Sequence, residues 1–269
     1  MKKRLFVFGD MHAHKSEMSY LSKSRFKEYK SLTKNDIVFF LGDFGGFFYY
    51  KEYENGFKDD KKILDNIISQ KYTSVVILGN HDNYDVVEDL PIIEIFGGRM
   101  HEYSNGLGSI YIAIRGEIYT FNEKKFFTFG GAKSNPVNLV SLKNVINKDR
   151  LIKVKYRYGE VVGRSSYTPK ISGVNYWEKE LPTDKEIEYA LSNLEKHSYK
   201  VDYVLSHTCP LSTIDKLNRN RPDTVSEFFE SILGKLKFNE WHFGHFHSNM
   251  SVENFHCHYM APPVEIDLS

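Results

Sequence analysis

A chain of 269 residues, 41% hydrophobic and 26% charged, carries enough apolar material for a sizeable core and reads as folded, not disordered. Its 36 Lys and Arg against 35 Asp and Glu leave a formal charge of +1, so no global field draws it to nucleic acid or a membrane surface; any such preference must be local. Two cysteines exclude a disulfide framework and fit a reducing, cytoplasmic compartment, the apolar run Leu5–Phe8 behind the basic start is too short for a signal sequence, and no stretch approaches the roughly 18 apolar residues of a membrane span.

Leu5–Phe8 is a short buried strand that delivers Gly9-Asp10-Met11-His12. Asp10 and His12 lie two apart, so in an extended conformation both side chains project to one side. From Ser16 to Lys30 a loose apolar periodicity predicts a helix. Asp36–Leu41 reads as a second buried strand and ends in Gly42-Asp43-Phe44-Gly45-Gly46. Ile63, Ile67 and Ile68 place a helix over 59–70. Ser74–Leu78 is a third buried strand, and it ends in Gly79-Asn80-His81-Asp82. Strands alternating with helices predict a mostly parallel sheet covered by helices, with sites at the carboxyl ends of its strands.

After Pro91 the runs become shorter and Gly-punctuated. Ser109–Ile114, Gly116–Thr120 and Lys125–Phe129 read as antiparallel neighbours in a second sheet. Ser134–Asn175 has a different character: it holds five Lys and three Arg against one Asp and one Glu, net +6, and the alternating run Ile152–Tyr158 suggests a hairpin. It is either a solvated loop or a basic flap that contacts a polyanionic substrate. Thr183-Asp184-Lys185-Glu186 has the form of a capping box, and Ile187, Ala190, Leu191 and Leu194 follow at helical spacing. Val201–Ser206 is a strand that ends at His207, Thr224–Lys237 a helix, and Trp241–His247 ends in Gly244-His245-Phe246-His247.

Metal-binding residue types therefore stand at five strand ends: Asp10 with His12, Asp43, Asn80, His207, and His245 with His247. Oxygen and imidazole donors without thiolates suit divalent manganese, iron or zinc, and seven donors exceed one coordination sphere. His14, His101, His197 and His242 read as structural or solvent-facing. Alternation in His256-Cys257-His258 predicts a strand with both imidazoles on one face. Cys209, followed by Pro210, reads as packing behind the site.

These five blocks, Gly9–His12, Gly42-Asp43, Gly79–Asp82, Ser206-His207 and Gly244–His247, resemble in order those of the calcineurin-like metallophosphoesterase superfamily. The stretch Tyr176–Glu180 before the capped helix looks like a bacterial or phage cytoplasmic branch of it. The resemblance implies an α/β fold: a two-sheet β-sandwich flanked by helices, four layers in all, as a single domain over 1–269 with the basic insertion at about 134–175. It implies two divalent ions, manganese first with iron, zinc or nickel as alternatives. Asp10, His12 and His247 would hold one, Asn80, His207 and His245 the other, and Asp43 would bridge them. A hydroxide between the ions would attack phosphorus in line. His81 would protonate the leaving group or stabilise the transition state, with Asp82 fixing its tautomer.

Two departures qualify the likeness. Gly42-Asp43 continues into Phe44-Gly45-Gly46 where the phosphoprotein phosphatases have an Asp-Arg pair, and Ala13 stands where a Gly is usual. Arg115, in Ile114-Arg115-Gly116, or a residue of the flap is the expected replacement phosphate ligand. The expected reaction is hydrolysis of a phosphodiester such as a nucleotide, cyclic nucleotide or nucleic-acid end. The alternatives are a phosphomonoesterase acting on a metabolite or phosphoprotein, and a non-catalytic scaffold.

Overall fold

Runs of β-branched and aromatic residues with no charge inside them can be strands only if both faces are covered, and the computed structural model of the protein covers them with a second sheet on one side and helices on the other. It describes residues 3–48, 54–134, 153–156, 159–162, 176–219 and 222–268, with backbone alone for 54–57 and 153–162. The first sheet contains β1 (Leu5–Phe8), β2 (Ile37–Leu41), β3 (Thr73–Ile77), β4 (Ile92–Ile95), β5 (Gly98–Ser104), β6 (Ser109–Ala113) and β15 (Val264–Glu265), in the order β15-β1-β2-β3-β6-β5-β4. The second contains β7 (Ile118–Phe121), β8 (Lys124–Phe129), β11 (Tyr203–Ser206), β12 (Glu240–Phe243), β13 (Met250–Val252) and β14 (Phe255–Cys257), in the order β13-β14-β12-β11-β8-β7.

Period-two alternation sorts each strand between two cores. Leu5, Val7, Ile37, Phe39 and Leu41 face inward and meet Phe121, Phe126, Tyr203 and Leu205 of the other sheet. Phe6, Phe8, Val38 and Phe40 face outward and pack with Ile63, Leu64 and Ile67 of helix α2 (Glu54–Ile68). On the opposite side, α4 (Asp184–Lys196) and α6 (Thr224–Leu233) cover Val204, Trp241 and Phe243 with Ala190, Leu194, Val225, Phe229 and Ile232. The result is the expected four layers, helix–sheet–sheet–helix. Shorter helices α1 (Lys15–Met18), α3 (Tyr84–Glu88) and α5 (Leu211–Lys216) sit in the connections.

Within the first sheet β1, β2, β3 and β6 run parallel. Within the second β8, β11, β12 and β14 do the same. The carboxyl ends of β1, β2, β3, β11 and β12 carry the five polar blocks.

The capping box on α4 is formed: Thr183 Oγ1 accepts from Glu186 N at 3.3 Å and Glu186 Oε2 accepts from Thr183 N at 2.7 Å. The basic stretch contains the expected hairpin, β9 (Lys153–Tyr156) paired antiparallel with β10 (Gly159–Val162). The rest of that stretch beyond Ser134 lies outside the described residues.

Three expectations change. Ser109–Ala113 joins the first sheet, parallel to β3, and only the two runs after it enter the second sheet. The region 16–30 forms the single turn α1 followed by 3₁₀ turns at Ser19–Leu21 and Lys27–Ser31. Serine hydroxyls compete there with the helical ladder, Ser19 Oγ donating to Ser16 O at 2.5 Å and Ser22 Oγ to Ser19 O at 2.6 Å. Helix α6 is capped by Asp223, whose Oδ1 accepts from Ser226 N at 2.8 Å, and it stops at Leu233 before Gly234. Among the described residues no helix is long and apolar enough to cross a membrane.

Candidate metal centre

Four of the five polar blocks open with glycine, at 9, 42, 79 and 244, because the two sheets press their strand ends together. Gly42 has φ +96°, and a Cβ there would lie 1.9 Å from His207 Nδ1 of the other sheet. Reciprocally, a Cβ on Gly244 would lie 2.2 Å from Asp10 Oδ1. Only a residue without a side chain permits either approach.

Asp10, His12, Asp43 and His247 bring one donor atom each to within 4.8 Å of one another. His12 Nε2 and His247 Nε2 are 3.0 Å apart, His247 Nε2 is 3.3 Å from Asp10 Oδ2, and His12 Nε2 is 3.8 Å from Asp43 Oδ2. Asp10 is completely buried; Oδ1 accepts from His245 N at 2.8 Å, whereas Oδ2 has no hydrogen-bond partner among the described residues. On the far side of Asp43, Oδ1 accepts from His81 N at 2.8 Å and lies 3.4 Å from His207 Nε2. His207 Nε2 is also 3.0 Å from Asn80 Oδ1, and the His207 and His245 ring centroids are 5.0 Å apart. His207 Nδ1 lies 2.8 Å from Leu41 O, so Nδ1–H donates to that carbonyl and Nε2 is the nitrogen turned toward Asn80 and Asp43. All seven residues read as ligands from the sequence are thus gathered in one place.

This donor set fits a divalent ion. A buried carboxylate oxygen without a hydrogen bond faces imidazole nitrogens, and oxygen and nitrogen donors without sulfur suit borderline metals. The backbone is held for the purpose: His12 (φ 44°), Asp43 (46°), His245 (66°) and His247 (48°) all occupy the left-handed region, which costs about 1 kcal/mol or more at each non-glycine residue.

Burial pushes Asp10 up to about 7, against the attraction of His207. Asp43 resists the same burial because His207, His81 and His12 surround it, and it is held well below the usual carboxylate range. Burial lowers His207, but Asp43 and Asp10 outweigh it and the net shift is upward.

His81 lies beside the donors, its ring centroid 5.7 Å from that of His12. Asp82 has a different task from the one expected. It is fully buried and accepts from Gly79 N at 2.8 Å, Gly45 N at 3.0 Å and Phe44 N at 3.1 Å, so it braces the loops after β2 and β3. Arg115 is also reassigned. Its buried guanidinium donates to the carbonyls of Gly130, Lys179 and Glu180 at 2.8–3.0 Å, pairs with Glu186 Oε1 at 3.0 Å, and lies 4.1 Å over the Tyr84 ring. A fork used in this way holds the 179–186 segment against the sheet and leaves no face for phosphate.

Three site residues escaped the sequence reading. Asn80 Nδ2 donates to Ser134 Oγ at 3.0 Å, and Ser134 Oγ donates to Glu180 Oε2 at 2.7 Å, which turns Asn80 Oδ1 toward His207. Tyr259 stacks on the half-exposed His247 ring at 4.6 Å and 6°. No sequence signal marks these partners, since their separations from Asn80 and His247 follow no local period.

With this geometry the class of protein is a metal-dependent hydrolase acting on phosphoric esters. The chain belongs to the calcineurin-like phosphoesterase family, whose model matches residues 3–210. His245 and His247 lie beyond the matched span, and the fold brings them to the centre. No curated relative matches the chain.

Two outcomes are expected. Asp10 and His207 both have folded values above their unfolded ones, so their stabilisation is complete at low pH and lost as pH rises, for Asp10 through about 7. Metal-free protein should therefore melt lower at about pH 8 than at about pH 5.5, and added manganese should raise the melting temperature more at the higher pH, where it replaces the missing protons; calorimetry with and without metal checks this. Arg115→Met should lower the unfolding free energy by about 3 kcal/mol or more, because carbonyls and Glu186 lose their donor, while metal content per chain stays unchanged; urea titration and elemental analysis decide.

Proposed function

We propose that the centre holds two divalent ions, manganese in the cell, and hydrolyses phosphodiesters of nucleotide or nucleic-acid type. The observation that carries the two-ion reading is Asp43: Oδ2 faces His12 at 3.8 Å and Oδ1 faces His207 at 3.4 Å, one carboxylate serving two donor groups. On this reading Asp10, His12 and His247 hold one ion, and Asn80, His207 and His245 hold the other. Bound ions supply activation of water and neutralisation of charge on the phosphoryl oxygens.

The chain's own groups supply the rest. His207 is fixed by Leu41 O with its Nε2 inward. Asn80 is fixed by Ser134 and Glu180 with its oxygen inward. His81 stands beside the donors, where its imidazole donates a proton to the leaving alkoxide.

The diester preference rests on where the basic stretch is rooted. Ser134 at its beginning and Glu180 just after its end bond each other and, through Ser134, Asn80, so the described residues that flank a stretch of net +6 lie at the metal centre. A stretch of that charge favours a substrate with more than one phosphate. A cytoplasmic nucleotide pool accords with the reduced cysteines.

Asp43→Asn should release both ions and abolish turnover. His81→Ala should keep metal content and lower kcat by about 10²–10⁴; loss of metal in His81→Ala would reverse the assignment. Comparing a chromogenic diester with its monoester in manganese, then a nucleotide and cyclic-nucleotide panel, tests substrate class, and turnover of the monoester alone would replace this reading with a phosphomonoesterase.

A further inference from the structure

We propose a second cation site, separate from the catalytic centre, formed by Glu240, His242 and His256 on one face of the neighbouring strands β12 and β14 of the second sheet and selective for a borderline divalent ion of the zinc type. His242 on β12 and His256 on β14 are direct partners in the parallel pairing, so both side chains leave the same face of the sheet. Their rings stack at 5.2 Å and 29°. Glu240, two residues before His242, shares that face.

Each imidazole is oriented from behind. His256 Nδ1 lies 2.9 Å from Ser251 Oγ, and His242 Nδ1 lies 3.0 Å from His258 Nε2. Both Nε2 atoms consequently converge on one carboxylate, His242 Nε2 at 3.2 Å from Glu240 Oε2 and His256 Nε2 at 4.0 Å from Glu240 Oε1. Two imidazoles and one carboxylate, with the rear nitrogen of each imidazole held by a neutral polar group, is the arrangement that metal-binding histidines adopt.

His242 Nε2 hydrogen-bonds Glu240 Oε2, and a cation would take the place of that proton. Ligand atoms about 2.0–2.1 Å from a tetrahedral ion are about 3.3 Å from one another. The 3.2 Å pair already has that spacing. The 4.0 Å pair is too long for a hydrogen bond and closes with a small rotation of His256, whose side chain is 26% exposed. An open groove of about 520 Å³, bordered also by Met250 and Val264, gives access and room for solvent ligands.

Protonation states agree with this use. Burial holds His256 and, more strongly, His258 below their ordinary values, and the hydrogen bond from His242 lowers Glu240, which favours its anionic form. An ion here clamps β12 to β14, and β12 leads directly into the loop that carries His245 and His247.

Equilibrium dialysis of the full chain against zinc, followed by elemental analysis, tests the site. Wild-type protein should retain one more zinc per chain than Glu240→Gln or His256→Ala, with both variants keeping manganese-supported hydrolysis of a chromogenic phosphate ester. Ser251→Ala should weaken that zinc by about 10–100-fold, as loss of an orienting partner does. Equal zinc in wild type and both variants, each folded by circular dichroism, overturns the proposal, as does a zinc loss accompanied by loss of manganese-supported activity, which would place the effect at the catalytic centre.

Discussion

Two carboxylates, Asp10 and Asp43, are almost wholly withdrawn from water at the meeting of the two sheets, and burying charge in this way is unfavourable unless opposite charge compensates it. The compensation reaches into every part of the fold. Imidazoles come from the ends of β11 and β12, backbone amides from His81 and His245, and the glycines at 42 and 244 let the sheets approach closely enough for these groups to face one another. The strained backbone at four of the donor residues lies at the same place. A cation satisfies this arrangement at once, which is why the donor chemistry and the fold point to the same conclusion.

The clustering of donor types was legible because most of them follow an apolar run and a glycine, and the physics behind that spelling is local: a buried parallel strand must end, and a close approach to the other sheet demands glycine. The four layers were legible for a related reason, since uncharged strands need cover on both faces. Sheet membership was less so. Ser109–Ala113 reads like its neighbours in the sequence, and only its parallel pairing with β3 assigns it to the first sheet.

The roles of polar residues that act across long separations were hidden for the same reason. Arg115 before Gly116 at a strand end looks like a phosphate ligand, but its partners arrive from the 179–186 segment, more than 60 residues away. Asp82 beside His81 looks like a tautomer-fixing partner, yet the amides of Phe44 and Gly45 occupy it. Adjacency in the sequence suggested pairings that the turn geometry redirects.

Ser134 and Glu180 join the two halves of the functional problem. Glu180 is completely buried, and both its oxygens are used by Ser134, from N and Oγ at 2.7 Å. Ser134 in turn orients Asn80, and Arg115 holds the carbonyl of Glu180. The arginine that seemed a substrate ligand therefore reaches the metal centre indirectly, through a chain of Arg115, Glu180, Ser134 and Asn80. The same hydrogen bonds hold the described residues on either side of the basic stretch, Ser134 and Glu180, against Asn80, so a long insertion leaves the donor between the sheets in place.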